Sequence, residues 1–265
     1  MAEVVEHLDN QQQVELLASV NGSETKALWV FGYGSLCWKP GFRFDKAVVG
    51  HVRGFSRKFW QGNATHRGTK EQPGRVATLI DDDTSSVYGV AFSVSGENAL
   101  PYLTNRECTL GGYDTRFATF HPIAGEPLKV LLYIATPKNH LWLGDAPASE
   151  IARQIFTSSG DSGHNVEYLV RLANFMRHHF PDASDSHLFN IEEHILHLAK
   201  IKQVDVAPLM GSGEGCITYA KPNGFSRQAP APAARGRDRE EREENRDTFQ
   251  FTARVPEKSL RCLNI

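Results

Sequence analysis

The chain is poor in cysteine, has no excess of either charge and contains no long apolar run. Each shortage removes a class of protein. Its four cysteines, Cys37, Cys108, Cys216 and Cys262, are widely spaced and form no C-x-x-C pair, which argues against a disulfide scaffold and a zinc ribbon. Free thiols in a reducing cytosol follow, and there the sequons at Asn21 and Asn63 carry no sugar. A formal net charge of -2 gives no footprint for nucleic acid. No segment approaches the ~20 apolar residues of a membrane span. The acidic, polar stretch from Met1 to Asn21 lacks the basic and apolar regions of a signal peptide.

What is present supports a substantial core. Apolar residues make up 40% of the 265 positions, with 15 Phe and 4 Trp, enough for one large domain or two small ones. Residues 1–26 read as a flexible leader, with a helical turn or two around 11–18. A folded body spans 27–207. Its first part reads as strands at 28–31, 48–52, 54–60, 75–80, 87–94, 117–120 and 128–135, broken by turn signals such as Asp81-Asp82-Asp83. On the 54–60 strand, Phe55, Arg57 and Phe59 share one face. Helices follow. Ser149 is a candidate cap for 150–158. Asn165–His179 places Val166, Leu169, Val170, Ala173 and Met176 on one stripe, with Ser162 or Asn165 as its cap, and 191–201 is helical too. From 208 to 265 the chain reads as a linker and a largely disordered charged tail, whose composition buries too little surface to offset ordering entropy.

The most informative segment is Trp29-Val30-Phe31-Gly32-Tyr33-Gly34-Ser35-Leu36. An apolar strand runs into two glycines around one tyrosine, then a serine. Glycine lets a ligand come close to the backbone, and successive N–H groups turned to one point make a nest for a carboxylate or a developing oxyanion. A plain tight turn explains the same residues. The dinucleotide fingerprint G-x-G-x-x-G fails, because Cys37 stands where its last glycine belongs and no helix opens at 38–41.

Three further clusters carry chemistry. Glu107 sits where a short helix over 97–104 gives way to Gly111-Gly112. A carboxylate at such a boundary against an apolar pocket can serve as general acid or base, or it can pair on the surface with Arg106 or Arg116. Cys108 and Cys37 have no sequence-local histidine to make a thiolate. His164 and Tyr168 lie four apart at the start of a helix and share a face. His194 and His197 lack the H-E-x-x-H arrangement of a zinc site.

Together these runs resemble the ChaC family of glutathione-specific gamma-glutamylcyclotransferases. The runs are 28–40, 52–62 (Val-Arg-Gly-Phe-Ser-Arg-Lys-Phe-Trp-Gln-Gly), 73–79, Arg106-Glu107 with Gly111-Gly112-Tyr113-Asp114, and 162–169, in the same order and with similar spacing over about residues 27–200. The resemblance implies an α+β fold, a gamma-glutamylcyclotransferase-like mixed β-barrel with flanking helices. It implies cleavage of glutathione to 5-oxoproline and cysteinylglycine with no metal or organic cofactor. The family's catalytic glutamate falls on Glu107 and its substrate loop on Gly32, Tyr33, Gly34, Ser35, Leu36 and Cys37. Arg75, Tyr113 and Tyr168 are candidate pocket walls or hydrogen-bond donors.

Two other readings stay open at this point. One is a cyclotransferase for other gamma-glutamyl amino acids. The other is an adaptor that keeps the scaffold and binds a protein partner through the C-terminal tail. An enzyme should keep its turnover when 209–265 are removed, whereas a tail-driven adaptor should lose its partner. Neither nucleic acid nor membrane is an expected partner.

Overall fold

The computed structural model describes residues 6–7, 27–95 and 113–219. The helical turns suggested near 11–18, the short helix suggested over 97–104 and the charged tail lie outside these residues. The strands, in chain order, are β1 (Glu6–His7), β2 (Ala27–Gly32), β3 (Lys46–Asn63), β4 (Gly74–Ser95), β5 (Tyr113–Pro122) and β6 (Leu128–Ala135). Two short strands, β7 (Ser159–Gly160) and β8 (Gly163–His164), pair with each other. The helices are α1 (Ala148–Thr157), α2 (Asn165–His179) and α3 (Ser186–Lys202).

Strands β2 to β6 close into a five-stranded barrel. The order is β2-β4-β3-β5-β6, and β6 returns to β2. Every pairing is antiparallel except the closing one, where Val30 meets Leu131 in parallel. The barrel is therefore mixed, and its seam lies beside the strand that carries the Gly32–Cys37 loop. β1 adds a short rung to β5, with Glu6 opposite Phe117.

Alternation along β2 and β6 feeds two separate cores, to which β3, β4 and β5 also contribute. Phe31, Val52, Phe55, Leu79, Val87, Ala91, Phe120 and Leu132 fill the inside of the barrel. Leu28, Val30, Val90, Phe92, Leu131 and Tyr133 point outward, into a layer shared with the three helices. Phe31, Phe55 and Phe120 are fully buried, and each side chain withdrawn in this way contributes about 1.5–3 kcal/mol.

The helices meet this outer face along apolar stripes. α1 contributes Ile151, Ala152, Ile155 and Phe156. α2 contributes Val166, Leu169, Leu172, Ala173, Phe175 and Met176. α3 contributes Leu188, Ile191, Ile195 and Ala199.

Several expectations are corrected. Periodicity suggests separate strands over 48–52 and 54–60, and others over 75–80 and 87–94; the structure has two long strands. The ladder slips between Arg53 and Phe55 and again between Lys58 and Gln61, and such bulges look like strand ends in a sequence. The acidic stretch lies within β4, where residues 82–85 bulge out of the ladder between the Phe55–Asp81 and Arg53–Ser86 pairs and Asp82 accepts from Thr84 and Ser85. Ser149 does not cap α1; it lies inside the helix, and the preceding Pro147 is the N-cap position. Neither Ser162 nor Asn165 caps α2. The His164 ring takes that role, accepting the Val166 N–H at 3.1 Å. Asn165 is spent elsewhere: its side chain accepts the Arg75 N–H at 2.7 Å and donates to the Arg75 carbonyl at 2.9 Å. It thus copies a strand partner and pins α2 to β4. Finally, where composition suggests a linker from 208, residues 207–219 pack on the body. Leu209, Cys216, Ile217 and Tyr219 all lie against the outer core.

Candidate active site

β2 ends at Gly32, and its inward row, Trp29 and Phe31, continues into Tyr33. The Tyr33 ring lies 6.2 Å from Phe31, and its hydroxyl donates to the Tyr133 carbonyl at 2.5 Å. That bond ties the loop to the end of β6. The chain then turns through Gly34 into a 3₁₀ turn at Ser35–Cys37. The Cys37 N–H donates to the Gly34 carbonyl (2.9 Å), and Trp38 and Lys39 both donate to the Ser35 carbonyl (3.1 and 2.8 Å). The amides of Ser35 and Leu36 precede the first of these bonds, so the turn offers them no acceptor. Two adjacent N–H groups at a helical start are a ready anion site when a second group fixes the loop.

Tyr168 supplies that group from α2. Its hydroxyl accepts the Ala77 N–H from β4 at 3.1 Å, and its ring packs edge-on against Trp38, 5.2 Å away, and Phe59, 6.0 Å away. The same hydroxyl lies under Gly34, where an added Cβ would collide with it. Gly34 is therefore fixed as glycine by the closeness of this oxygen. Burial pushes the Tyr168 hydroxyl up to about 12, which keeps it protonated and a hydrogen-bond donor near neutral pH.

Cys37 is fully buried, and its thiol donates to the Gly32 carbonyl at 3.3 Å. Burial pushes the thiol up to about 12, against a small opposing pull from Arg57. It is a packing and hydrogen-bonding group, not a thiolate nucleophile.

The structure thus brings Gly32, Tyr33, Gly34, Ser35, Leu36 and Cys37 together with Tyr168. Tyr113 opens β5 opposite Ala135, two rungs from the Thr115–Tyr133 pair whose carbonyl Tyr33 engages. It shares that end of the β5–β6 ladder. Arg75 is engaged in another direction. Its guanidinium donates to Gln154 (2.7 Å) and to the carbonyls of Phe59 (3.0 Å) and Gly144 (2.9 Å), bracing α1 against the barrel. Glu107 and Cys108 lie outside the described residues.

Sequence pattern misses three contributors here: the Ala77 N–H, the Trp38 ring and buried Arg57. Arg57 had a visible signal, a charge on the apolar face with Phe55 and Phe59. Its Nη1 donates to Asp185 at 2.8 Å and its Nη2 to the Tyr88 carbonyl.

A closed mixed barrel, wrapped by helices and bearing a glycine loop at one strand end, defines the gamma-glutamylcyclotransferase class of fold. The solved gamma-glutamyl cyclotransferase specific to glutathione from yeast superposes with a TM-score of 0.59 at 28% identity, covering 65% of this chain and 97% of that one. The family model for ChaC-like proteins matches residues 28–198, and the chain belongs to that family. It is 52% identical over 173 residues to human glutathione-specific gamma-glutamylcyclotransferase 1, covering 63% of this chain and 78% of the human one. It is 41% identical over 162 residues to gamma-glutamylcyclotransferase 2-1 of Arabidopsis thaliana, covering 56% of this chain and 74% of the plant protein.

Proposed function

We propose that this chain is a lyase that cleaves glutathione to 5-oxoproline and L-cysteinylglycine. The observation that carries this reading is the Ser35–Cys37 turn, two amides free of its internal bonds, set at a strand end and backed by the Tyr168 hydroxyl. The family and the yeast fold support the same reaction.

The glutamyl α-carboxylate docks on the Ser35 and Leu36 amides. That grip folds the γ-glutamyl chain back on itself. The α-amine, once deprotonated, attacks the γ-carbonyl carbon and forms the new C–N bond of a five-membered ring. The tetrahedral intermediate then collapses, and the bond from that carbon to the cysteinyl nitrogen breaks. Two protons leave the attacking nitrogen, one before attack and one from the tetrahedral intermediate. Both end on the cysteinyl nitrogen, which departs as an amine and takes up the second as an ammonium, so no water is consumed. Nucleophile and electrophile belong to one molecule, so holding the cyclising conformer is a large part of the catalysis. What remains is proton transfer, and one carboxylate can serve as base and then as acid. We assign that role to Glu107. The reaction so written calls on no cofactor. We place it in the cytosol, where Cys37 and Cys216, both free thiols, stay reduced. No helix among the described residues is long and apolar enough to cross a membrane.

The test is release of 5-oxoproline and cysteinylglycine from glutathione, followed by mass spectrometry, for the wild type and Glu107→Gln. The expected result is turnover by the wild type and a loss of about 10²–10⁴-fold in kcat for the variant. Equal turnover by both would remove Glu107 from the mechanism. No turnover by the wild type would overturn the assigned reaction.

A further inference from the structure

The match to the family model stops at residue 198, yet the chain stays on the barrel as far as Tyr219. After α3 it forms a 3₁₀ turn at Ala207–Met210. Arg171 on α2 donates to the Met210 carbonyl at 2.8 Å while holding Glu167 through its Nε, also at 2.8 Å. Gly211, Gly213 and Gly215 all take positive φ, and they bend the segment back toward the loop. The Cys216 N–H closes on the Gly213 carbonyl at 3.0 Å, and the Ile217 N–H donates to the Trp38 carbonyl at 2.8 Å. Tyr219 then places its ring among Phe92 (6.5 Å), Phe175 (6.1 Å) and His179 (5.7 Å).

Trp38 is where this segment meets the site. Its N–H donates into the loop, to Ser35, and its carbonyl is held from outside by Ile217. Its ring packs on Tyr168, whose hydroxyl lies under Gly34. One residue thus couples the late segment to both supports of the loop.

We infer that residues 207–219 are a strap that sets the geometry of the Gly34–Cys37 turn, with Ile217 and Tyr219 as positioning residues that touch no substrate. The inference rests on the reading that this turn holds the γ-glutamyl carboxylate. Two amides bind one carboxylate well only when they converge. A loop that visits other conformations binds more weakly, in proportion to the time spent away from the competent one. Loosening the strap therefore acts on substrate affinity rather than on the chemical step.

Four full-length proteins test this: wild type, Ile217→Pro, Tyr219→Ala and Tyr219→Phe. Proline removes the N–H that Trp38 accepts. Alanine removes the Tyr219 ring. Phenylalanine keeps the ring and removes only a buried hydroxyl that has no partner among the described residues. Amide hydrogen exchange of Cys37, Trp38 and Lys39 reads the loop directly, and KM and kcat for glutathione read its consequence.

The expected result for Ile217→Pro and Tyr219→Ala is exchange about tenfold faster and KM raised about five- to tenfold, with kcat within about twofold. Tyr219→Phe should match the wild type. Unchanged exchange in both disruptive variants overturns the strap, and so does faster exchange with KM unmoved. If circular dichroism shows Ile217→Pro to be unfolded, the alanine and phenylalanine pair decides alone. Faster loop exchange in a protein whose wild type leaves glutathione intact would support the strap as a mechanical element and overturn the assigned reaction instead, so the two failures are distinct.

Discussion

Gly34 is the residue at which one methyl group should do the most harm to the site. Its missing Cβ makes room for the Tyr168 hydroxyl, so the two positions are coupled. Gly34→Ala should lower kcat/KM for glutathione by about tenfold or more, because the turn must shift away from that oxygen. Tyr168→Phe should cost about 1 kcal/mol of stability by leaving the Ala77 N–H without its acceptor. In the double variant the collision partner is gone, and part of the Gly34→Ala loss should return. Steady-state kinetics on the four proteins of this cycle measures the coupling; strict additivity would show that the hydroxyl is not what demands glycine. The apolar strand and the two glycines mark this loop in the sequence. The reason for Gly34 in particular is not local, because the atom that excludes a side chain belongs to a helix far along the chain.

Among the elements, the start of α3 shows how the helical layer is keyed to the barrel. Asp185 accepts the Leu188 N–H at 3.1 Å as the N-cap and also holds buried Arg57. Two residues on, His187 Nε2 accepts the Phe59 N–H at 3.0 Å, which requires the unprotonated ring. Burial, reinforced by nearby Lys58, pushes this histidine down to about 4. In the unfolded chain it titrates near 6.5. Between those values the unfolded state holds more protons, so stability is full above about pH 6.5 and falls as pH drops toward 4. Thermal midpoints measured from pH 7 to pH 4 should decline in that window, and His187→Gln, with an acceptor that does not titrate there, should flatten the decline.

Period-two burial of Phe55, Arg57 and Phe59 was legible in the sequence, as was the whole of α2. The length of β3 and β4 was not. Bulges interrupt the apolar pattern just as turns do, and only the partner strand reveals that the ladder resumes. The cap of α2 was hidden for a related reason. Asn165 has the right chemistry for a cap, but its amide is drawn to the Arg75 backbone, and a histidine fills the gap.

Taken together, the described residues form two cores and one late segment that braces the site. A chain ending at Pro222, where the compact unit that contains the barrel closes, should keep its thermal midpoint and its KM for glutathione. A chain ending at Val206 loses the half-buried Leu209, Cys216, Ile217 and Tyr219 from the outer core. It should melt about 5–10 °C lower and bind glutathione more weakly. Calorimetry and kinetics on the two truncations separate the alternatives. Wild-type KM in the shorter chain would restore the linker suggested by composition, under which removal of 209–265 leaves turnover intact.

β2 is buried on both faces. Trp29, Phe31 and Tyr33 go to the barrel interior, Leu28 and Val30 to the helical layer. Gaining or losing one residue in such a strand exchanges the two sets, because side chains alternate with a period of two. The indole and phenyl rings would then press into space shaped for leucine and valine, the interior would be left with voids, and Tyr33 would turn away from Tyr133. For a gene, β2 is therefore a stretch in which letters can be rewritten but not counted differently: in-frame insertions and deletions of a single codon are closed to it, while the excursion at residues 82–85, outside the ladder, remains open to them.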